Sequence, residues 1–313
     1  MESSAPQSRA PIVAAFAPGP AAHEPVEFGL AASRITGAPL VIVSVQHGVP
    51  LMNEVVYEHD NQITDLRKEL VRRGIHDPDI RVFDDRGAAR GLARAMDEIR
   101  PELIVLGASR RGKPHTLGTT AQQVIHASSC PVAIVPLGYQ RPEKGVQLIG
   151  AAYSPSDEGR EALHAAVALA RAAGVRVRVI TVEDPKHAAE QSHGMLAEQH
   201  HDVSRSEGQG ARERLGVSEE LTAAVAEVGA GVDVDVDVLF NDPAEGLLAA
   251  SRHVDLLIMG SRALGPKRAV LLGSVSRKVI AAATCPVLVL PRGAAAHTDA
   301  LLADAEAQAA RTS

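Results

Sequence analysis

The chain has no tryptophan, only four phenylalanines and three tyrosines, and two cysteines among 313 residues. Two thiols, Cys130 and Cys285, cannot build a disulfide framework. They fit a reducing, cytoplasmic setting. There is no excess of positive charge either: the formal net charge is −6, which argues against a nucleic-acid backbone as partner. Long apolar runs are missing. The N-terminal stretch "MESSAPQSRAPIVAAFAPG" carries an early acid and only a short apolar run, too short for a signal core or a membrane span. No Gly-Lys-Ser/Thr tripeptide opens a helix, so Gly112-Lys113 is not a P-loop. What remains is 45% hydrophobic and 22% charged, an Ala- and Val-rich globular composition long enough for about two domains.

The chain repeats itself. "SSCPVAIVP" and "ATCPVLVLP" place Cys130 and Cys285 in matching contexts. "PELIVLG" ends at Gly107 and "VDLLIMG" at Gly260, while Gly118 and Gly273 follow each. "IVAAFAPGP" from Ile12 matches "IGAAYSPSD" from Ile149. The period is far longer than that of solenoid repeats, so it marks a duplicated domain. We expect one domain over 9–138 and a second over 146–293, joined through the polar, Gly/Pro-punctuated "GYQRPEKG". An Ala-rich tail, 294–313, reads as a frayed helix or disorder.

Each copy alternates strand and helix. In the second, "GVQLIGAAY" is strand-like, and "SDEGREALHAAVALARAAG" has helical spacing with a Ser/Asp start and a Gly174 stop. "VRVRVITV" is β-branched. A polar region follows, then "VDVDVDVLF", a helix, "VDLLIMG", a glycine loop, a helix and "PVLVLP". Alternation of this kind demands crossovers and a largely parallel sheet, hence an α/β class with five strands per copy. In "VDVDVDV" the carboxylates of Asp233, Asp235 and Asp237 share one strand face about 7 Å apart, too wide for one ion. An edge strand with one wet, charged face is the expectation.

Other constellations are weak. His187, His193, His200 and His201 lie near Glu190, Glu198 and Asp202, but their spacings miss the i, i+4 pairing of a helical metal site. A polar helical excursion is expected there. The cysteines precede proline with no adjacent base, and no nucleophile triad emerges.

The richest segment is "GSRALGPKRAVLLGSVS", Gly260 to Ser276. A buried strand enters a glycine loop and leaves as a helix. Glycines permit positive φ and close approach, and successive N–H groups at a helix start favour an anion. With "MGSRALGPKRAVLLGSVSRKVIAAATCPVLVLP" and "GREALHAAVALARAAGVRVRVITV", the chain resembles the universal stress proteins in both copies. That resemblance implies two doubly wound, parallel five-stranded domains of order 3-2-1-4-5. It also implies that their apolar last strands, "PVAIVP" and "PVLVLP", meet antiparallel as an intramolecular pseudo-dimer. A homodimer of the two-domain chain is compatible with it.

The nucleotide-binding branch of that family carries Gly, two residues, Gly, nine residues, Gly, then Ser or Thr. Here Gly260, Gly273 and Ser274 match, with Ala263 at the middle glycine. The family's Asp at the end of the first strand is Ser154. The resemblance implies phosphates on the backbone around Gly273, Ser274 and Val275, with Ser274 or Ser276 giving a hydroxyl and Arg262, Lys267 or Arg268 a charge. It implies adenine by Tyr153, Ser154 and the backbone of Val182. The first copy departs further: Arg110 replaces the middle glycine, the loop before Gly118 is two residues shorter, and Ala17, Pro18 and Pro20 stand at the Asp turn, with Thr119 as hydroxyl. We therefore expect ATP, with or without Mg²⁺, in the second domain only. The role expected is that of a regulatory ligand in a stress-response protein that is not an enzyme. The alternative is a nucleotide-free member acting through a protein partner.

Overall fold

Short aliphatic runs such as "LIVLG" and "LLIMG" are apolar at every position, as strands covered on both faces require. The computed structural model describes residues 9–18, 23–46, 53–108, 117–185, 219–261 and 272–291. The first half runs β1 (Ile12–Phe16), α1 (Glu24–Thr36), β2 (Leu40–Gln46), α2 (Asn53–Arg72), β3 (Asp79–Asp84), α3 (Ala88–Ile99), β4 (Leu103–Gly107), α4 (Thr119–Ala127) and β5 (Val132–Val135). The second runs β6 (Leu148–Tyr153), α5 (Asp157–Ala173), β7 (Arg176–Glu183), α6 (residues 219–228), β8 (Val234–Phe240), α7 (Pro243–Ala250), β9 (Leu256–Gly260), α8 (Ser274–Ala282) and β10 (Val287–Leu290). Helix α5 has the ends its sequence announces. Ser156 Oγ accepts from Gly159 N–H at 3.1 Å, and Gly174 closes the helix at φ 65°.

The ten strands among the described residues form one sheet, ordered β3-β2-β1-β4-β5-β10-β9-β6-β7-β8. Within each half the strands are parallel in the order 3-2-1-4-5, as expected. The halves join where β5 and β10 pair antiparallel, Val287↔Ile134, Leu288↔Ala133 and Val289↔Val132. The expected intramolecular pseudo-dimer is this seam. Its residues feed both cores. Val132, Ile134, Val287 and Val289 enter the cluster on one face, and Ala133, Val135, Leu288 and Leu290 that on the other. Neither half keeps a core of its own at the centre of the sheet.

Because the seam is antiparallel, the carboxyl end of β5 and the amino end of β6 lie on the same side. A short linker is then enough. It is tied to the first half through Gly138 N–H, which donates to Glu24 Oε1 at 3.1 Å, and through Tyr139, edge-on to Phe28 at 6.1 Å. The same geometry places the carboxyl ends of the two halves at opposite ends of the sheet.

β8 is an outer edge strand, as its alternation suggested. Its acids are not simply solvated. Asp235 lies 3.8 Å from Arg176 and 3.9 Å from Arg178, and Asp237 lies 3.5 Å from Arg178. Asp233 precedes the strand, and its carbonyl accepts from Val177 N–H. On the other face Val236, Val238 and Phe240 are exposed. The histidine-rich segment and the Ala-rich tail lie outside the described residues. Among the described residues no helix is long and apolar enough to cross a membrane, and no group of three His, Cys, Asp or Glu could hold a metal.

Candidate functional site

The sheet order puts a topological switch point between β1 and β4 in the first half and between β6 and β9 in the second. Ligands of open α/β sheets sit at such points, beyond the carboxyl ends of the strands. In the second half the crevice is built from the ends of β6, β7 and β9 and the starts of α5 and α8.

α5 closes tightly over this end. A Cβ at Gly159 would fall 2.1 Å from the Ser154 carbonyl oxygen, and one at Gly260 would fall 2.6 Å from that of Glu158. The first loop glycine is therefore needed for helix–strand packing. It has no positive φ, and Gly273 is likewise extended, at φ −62° and ψ 165°. Neither position uses the positive φ that glycine permits.

α8 begins differently from its neighbours. Ser156 caps α5, and Asp242 caps α7 by accepting from Ala244 N–H and Glu245 N–H. α8 follows Gly273 with no side-chain cap and no acid in its first turn, whereas α5 carries Asp157 and Glu158 in its own. The N–H groups of Ser274, Val275 and Ser276 precede the first intrahelical bond, from Arg277 N–H to Gly273 C=O. Among the described residues no capping side chain or first-turn acid compensates their partial positive charge. Ser274 is exposed, Val275 half-buried and Ser276 buried.

One residue at this end escaped the sequence reading. Ser261 continues the β9–β10 ladder, donating its N–H to Leu290 C=O at 3.1 Å. Its side chain is 1% exposed, and among the described residues its Oγ has no hydrogen-bond partner. Leu257 and Met259 share their core cluster with Leu272, Val279 and Ile280, so Ser261 points to the face that carries α8. The corresponding residue of the first half is Ala108. A hydroxyl directly after the strand-ending glycine was the available signal.

The nucleoside end is altered. Ser154 is exposed, and its Oγ lies 3.1 Å from the Oγ of Ser156. The Tyr153 ring faces away, into the core beneath α5 and α6, so it offers the crevice only its backbone. Burial, then the nearby Glu220, raises the pKa of that phenol. Val182 packs its side chain under α7, where a Cβ at Gly246 would meet Val182 Cγ1 at 2.7 Å. Its backbone differs from the rest of the strand. Arg176 N–H donates to Gln147 C=O, and the register holds to Tyr153↔Thr181. That alternation assigns Val182 N–H to Tyr153 C=O, and Val182 C=O to the N–H of residue 155. Residue 155 is proline and has none. The ladder thus leaves Val182 C=O without a donor. Val45 and Pro18 repeat the arrangement in the first half. Arg262, Ala263, Lys267 and Arg268 lie outside the described residues, as does Arg110.

The first half's crevice is more self-contained. Ser44 Oγ donates to Phe16 C=O at 2.9 Å and lies 3.0 Å from His59 Nε2. Since that hydroxyl proton goes to Phe16, His59 Nε2–H is the donor to Ser44. Burial lowers the His59 pKa, partly offset by Asp60. α4 also starts uncapped, after Gly118, with Thr119 exposed. Both cysteines are buried, and burial raises the Cys130 thiol and pushes Cys285 up to about 12, which disfavours the reactive thiolate at either.

Comparison with known proteins agrees with this architecture. The model of the universal stress protein family matches residues 9–136 and again 146–291. A universal stress protein of Mycobacterium tuberculosis is 29% identical over 214 residues, 66% of this chain and 70% of its own. One of Thermus aquaticus is 33% identical over 141 residues, 44% of this chain and 94% of its own. Among solved structures, a universal stress protein of Archaeoglobus fulgidus covers 92% of this chain and all of its own at TM-score 0.58 and 20% identity. A functionally unknown protein from Pseudomonas aeruginosa covers 97% of this chain and 98% of its own at TM-score 0.62 and 17% identity. At these identities the structures attest the fold alone.

Proposed function

The chain belongs to the universal stress protein family, and from that premise we propose that it works by binding: its second domain takes ATP or another adenine nucleotide as a regulatory ligand. The observation that carries this reading is the start of α8. Three N–H groups that have, among the described residues, no side-chain cap, first-turn acid or intrahelical partner face a switch-point crevice, an arrangement suited to phosphate oxygens. Adenine suits the other end. Val182 C=O, left without a ladder donor, can accept from an exocyclic amine, whereas guanine would turn a carbonyl toward it. Mg²⁺, where it enters, enters on the phosphates of the nucleotide. The ligand then acts by stabilising one shape of a stress-response protein, without being turned over.

A second reading is supported by the exposed Val236, Val238 and Phe240 on β8, which suit contact with a protein partner in a nucleotide-free member. Two measurements separate the readings. Mass spectrometry of material released on denaturing the purified protein should find adenine nucleotide. Calorimetry should give tighter binding of ATP than of GTP. Absence of both signals leaves the partner-binding reading.

A further inference from the structure

β8 ends the sheet, and among the described residues no strand lies beyond it. Its two faces differ. Asp235 and Asp237 share the face of Ile180 and lie against Arg176 and Arg178 of β7. Val236, Val238 and Phe240 share the face of Val177 and Val179, and all three are exposed. Val234, at the amino end of that row, is packed into the core with Leu221 and Val225 of α6. The backbone is open along the same row. Val177 N–H donates to Asp233 C=O at 2.9 Å, and Asn241 N–H donates to Glu183 C=O at 3.0 Å. These bonds turn the odd-numbered residues of β8 toward β7, so the N–H and C=O groups of Val236, Val238 and Phe240 point out of the sheet edge. A bare edge of this kind templates pairing. The opposite edge, β3, offers less: Val82 is its exposed large apolar residue, and Asp79 and Arg81 bind each other.

We propose that β8 pairs antiparallel with β8 of a second copy of this chain, with Val238 on the two-fold axis, so that one sheet runs through a homodimer. The inference rests on β8 as a contact face, not on the nucleotide reading, and gives that face an occupant. A two-fold normal to the sheet pairs the strand with itself and keeps apolar face beside apolar face. An antiparallel join of this kind already unites β5 and β10 at the seam. Charge selects the register. An axis at Asp235, Val236 or Asp237 sets an acid opposite an acid, which is destabilising. An axis at Val238 sets Asp237 opposite Leu239 of the second copy and Asp235 opposite its Asn241, so no acid meets an acid. It is also the register in which the three exposed side chains meet only one another: Val238 faces Val238, and Val236 faces Phe240. Each of these pairs is a hydrogen-bonded pair of the ladder, because their backbone groups are the ones that point outward. The operator is closed, so association stops at the dimer.

The test uses the full chain. Sedimentation equilibrium should find a dimer at about 100 μM chain. Val238→Lys sets two ammonium groups face to face on the axis and should weaken association about tenfold or more. Register is read by oxidative cross-linking, in which the native thiols take no part because both are buried. Hydrogen-bonded partners lie about 5.5 Å apart at Cα, within disulfide reach. Val238→Cys should therefore form a covalent dimer by itself. Val236→Cys should not, but it should cross-link to Phe240→Cys when the two variants are mixed. A monomeric wild type in which Val238→Cys also fails to cross-link overturns the proposal and leaves the contact face to a different protein. A dimer indifferent to Val238→Lys, or one that Val236→Cys cross-links by itself, overturns it too. Growth beyond the dimer would show β8 paired with β3 of the next copy, and would overturn the closed assembly. ATP binding, measured separately, fails or succeeds without bearing on any of these outcomes.

Discussion

The backbone of Glu158 occupies the place where a side chain on Gly260 would go, with its carbonyl oxygen 2.6 Å from the ideal Cβ position. The glycine that opens the loop is thus fixed by the descent of α5 onto β9. Gly260→Ala forces helix and strand apart even without ligand. We expect a loss of about 1–3 kcal/mol in urea unfolding, the usual cost of overpacking. Gly159→Ala, whose Cβ would meet Ser154 backbone at 2.1 Å, should cost at least as much. Wild-type stability in Gly260→Ala would show that α5 moves freely.

The seam makes a second prediction. Ala133 is fully buried opposite Leu288, in a core drawn from both halves. Ala133→Asp places a carboxylate there without a partner, a cost of several kcal/mol. The wild-type chain should unfold in one transition. The variant should unfold in two, as its halves lose their shared core. A single unchanged transition in calorimetry would count against the seam as the source of cooperativity.

His59 supplies a pH dependence with a definite sign. Its pKa is lowered from 6.5 in the folded protein, chiefly by burial, so the unfolded chain binds the proton more readily. The stability linked to this residue is fully present above pH 6.5 and is lost as pH falls below it. Asp60 moderates the effect. His59→Gln retains a donor for Ser44 and removes the titration. It should lose less stability than wild type on going from pH 7 to about 5. Parallel unfolding curves for the two proteins across that range would exclude His59 as the titrating group.

Much of this was legible in the sequence. The paired Gly–Gly and Cys-Pro contexts revealed the duplication, and aliphatic strands alternating with amphipathic helices gave the class. The resemblance supplied the strand order and the seam. What stayed hidden depends on side-chain direction and register. "RVRV" and "VDVDV" each alternate, yet only the alignment of β7 with β8 brings Arg178 between Asp235 and Asp237. Tyr153 follows Ile149 and Ala151 onto the face beneath α5, so its ring turns from the crevice although its backbone borders it. The missing donor to Val182 comes from Pro155, 27 residues upstream and adjacent only through the register. Ser261 was readable as a residue, but the lack of a partner for its hydroxyl among the described residues was not.

The two halves of the chain are asymmetric at their switch points. Both have an uncapped helix after a glycine, and both leave a valine carbonyl without a ladder donor. They differ in what surrounds these features. In the first half the carbonyl of Phe16 and the hydroxyl of Ser44 are satisfied by each other and by His59, and Ala108 replaces Ser261. Gly273→Val should therefore abolish ATP binding, and Gly118→Val should leave it unchanged. Ser154 is a neutral hydroxyl engaged with Ser156. A carboxylate there forms charge-assisted bonds, roughly 1.5–3 kcal/mol against about 1 for neutral ones. Ser154→Asp combined with Ala263→Gly should tighten ATP binding by about tenfold or more. Calorimetry on the four proteins decides the matter. Loss of binding in Gly118→Val would move the site to the first half. No tightening in the double variant would mean that the nucleoside end of the second half does not touch the ligand.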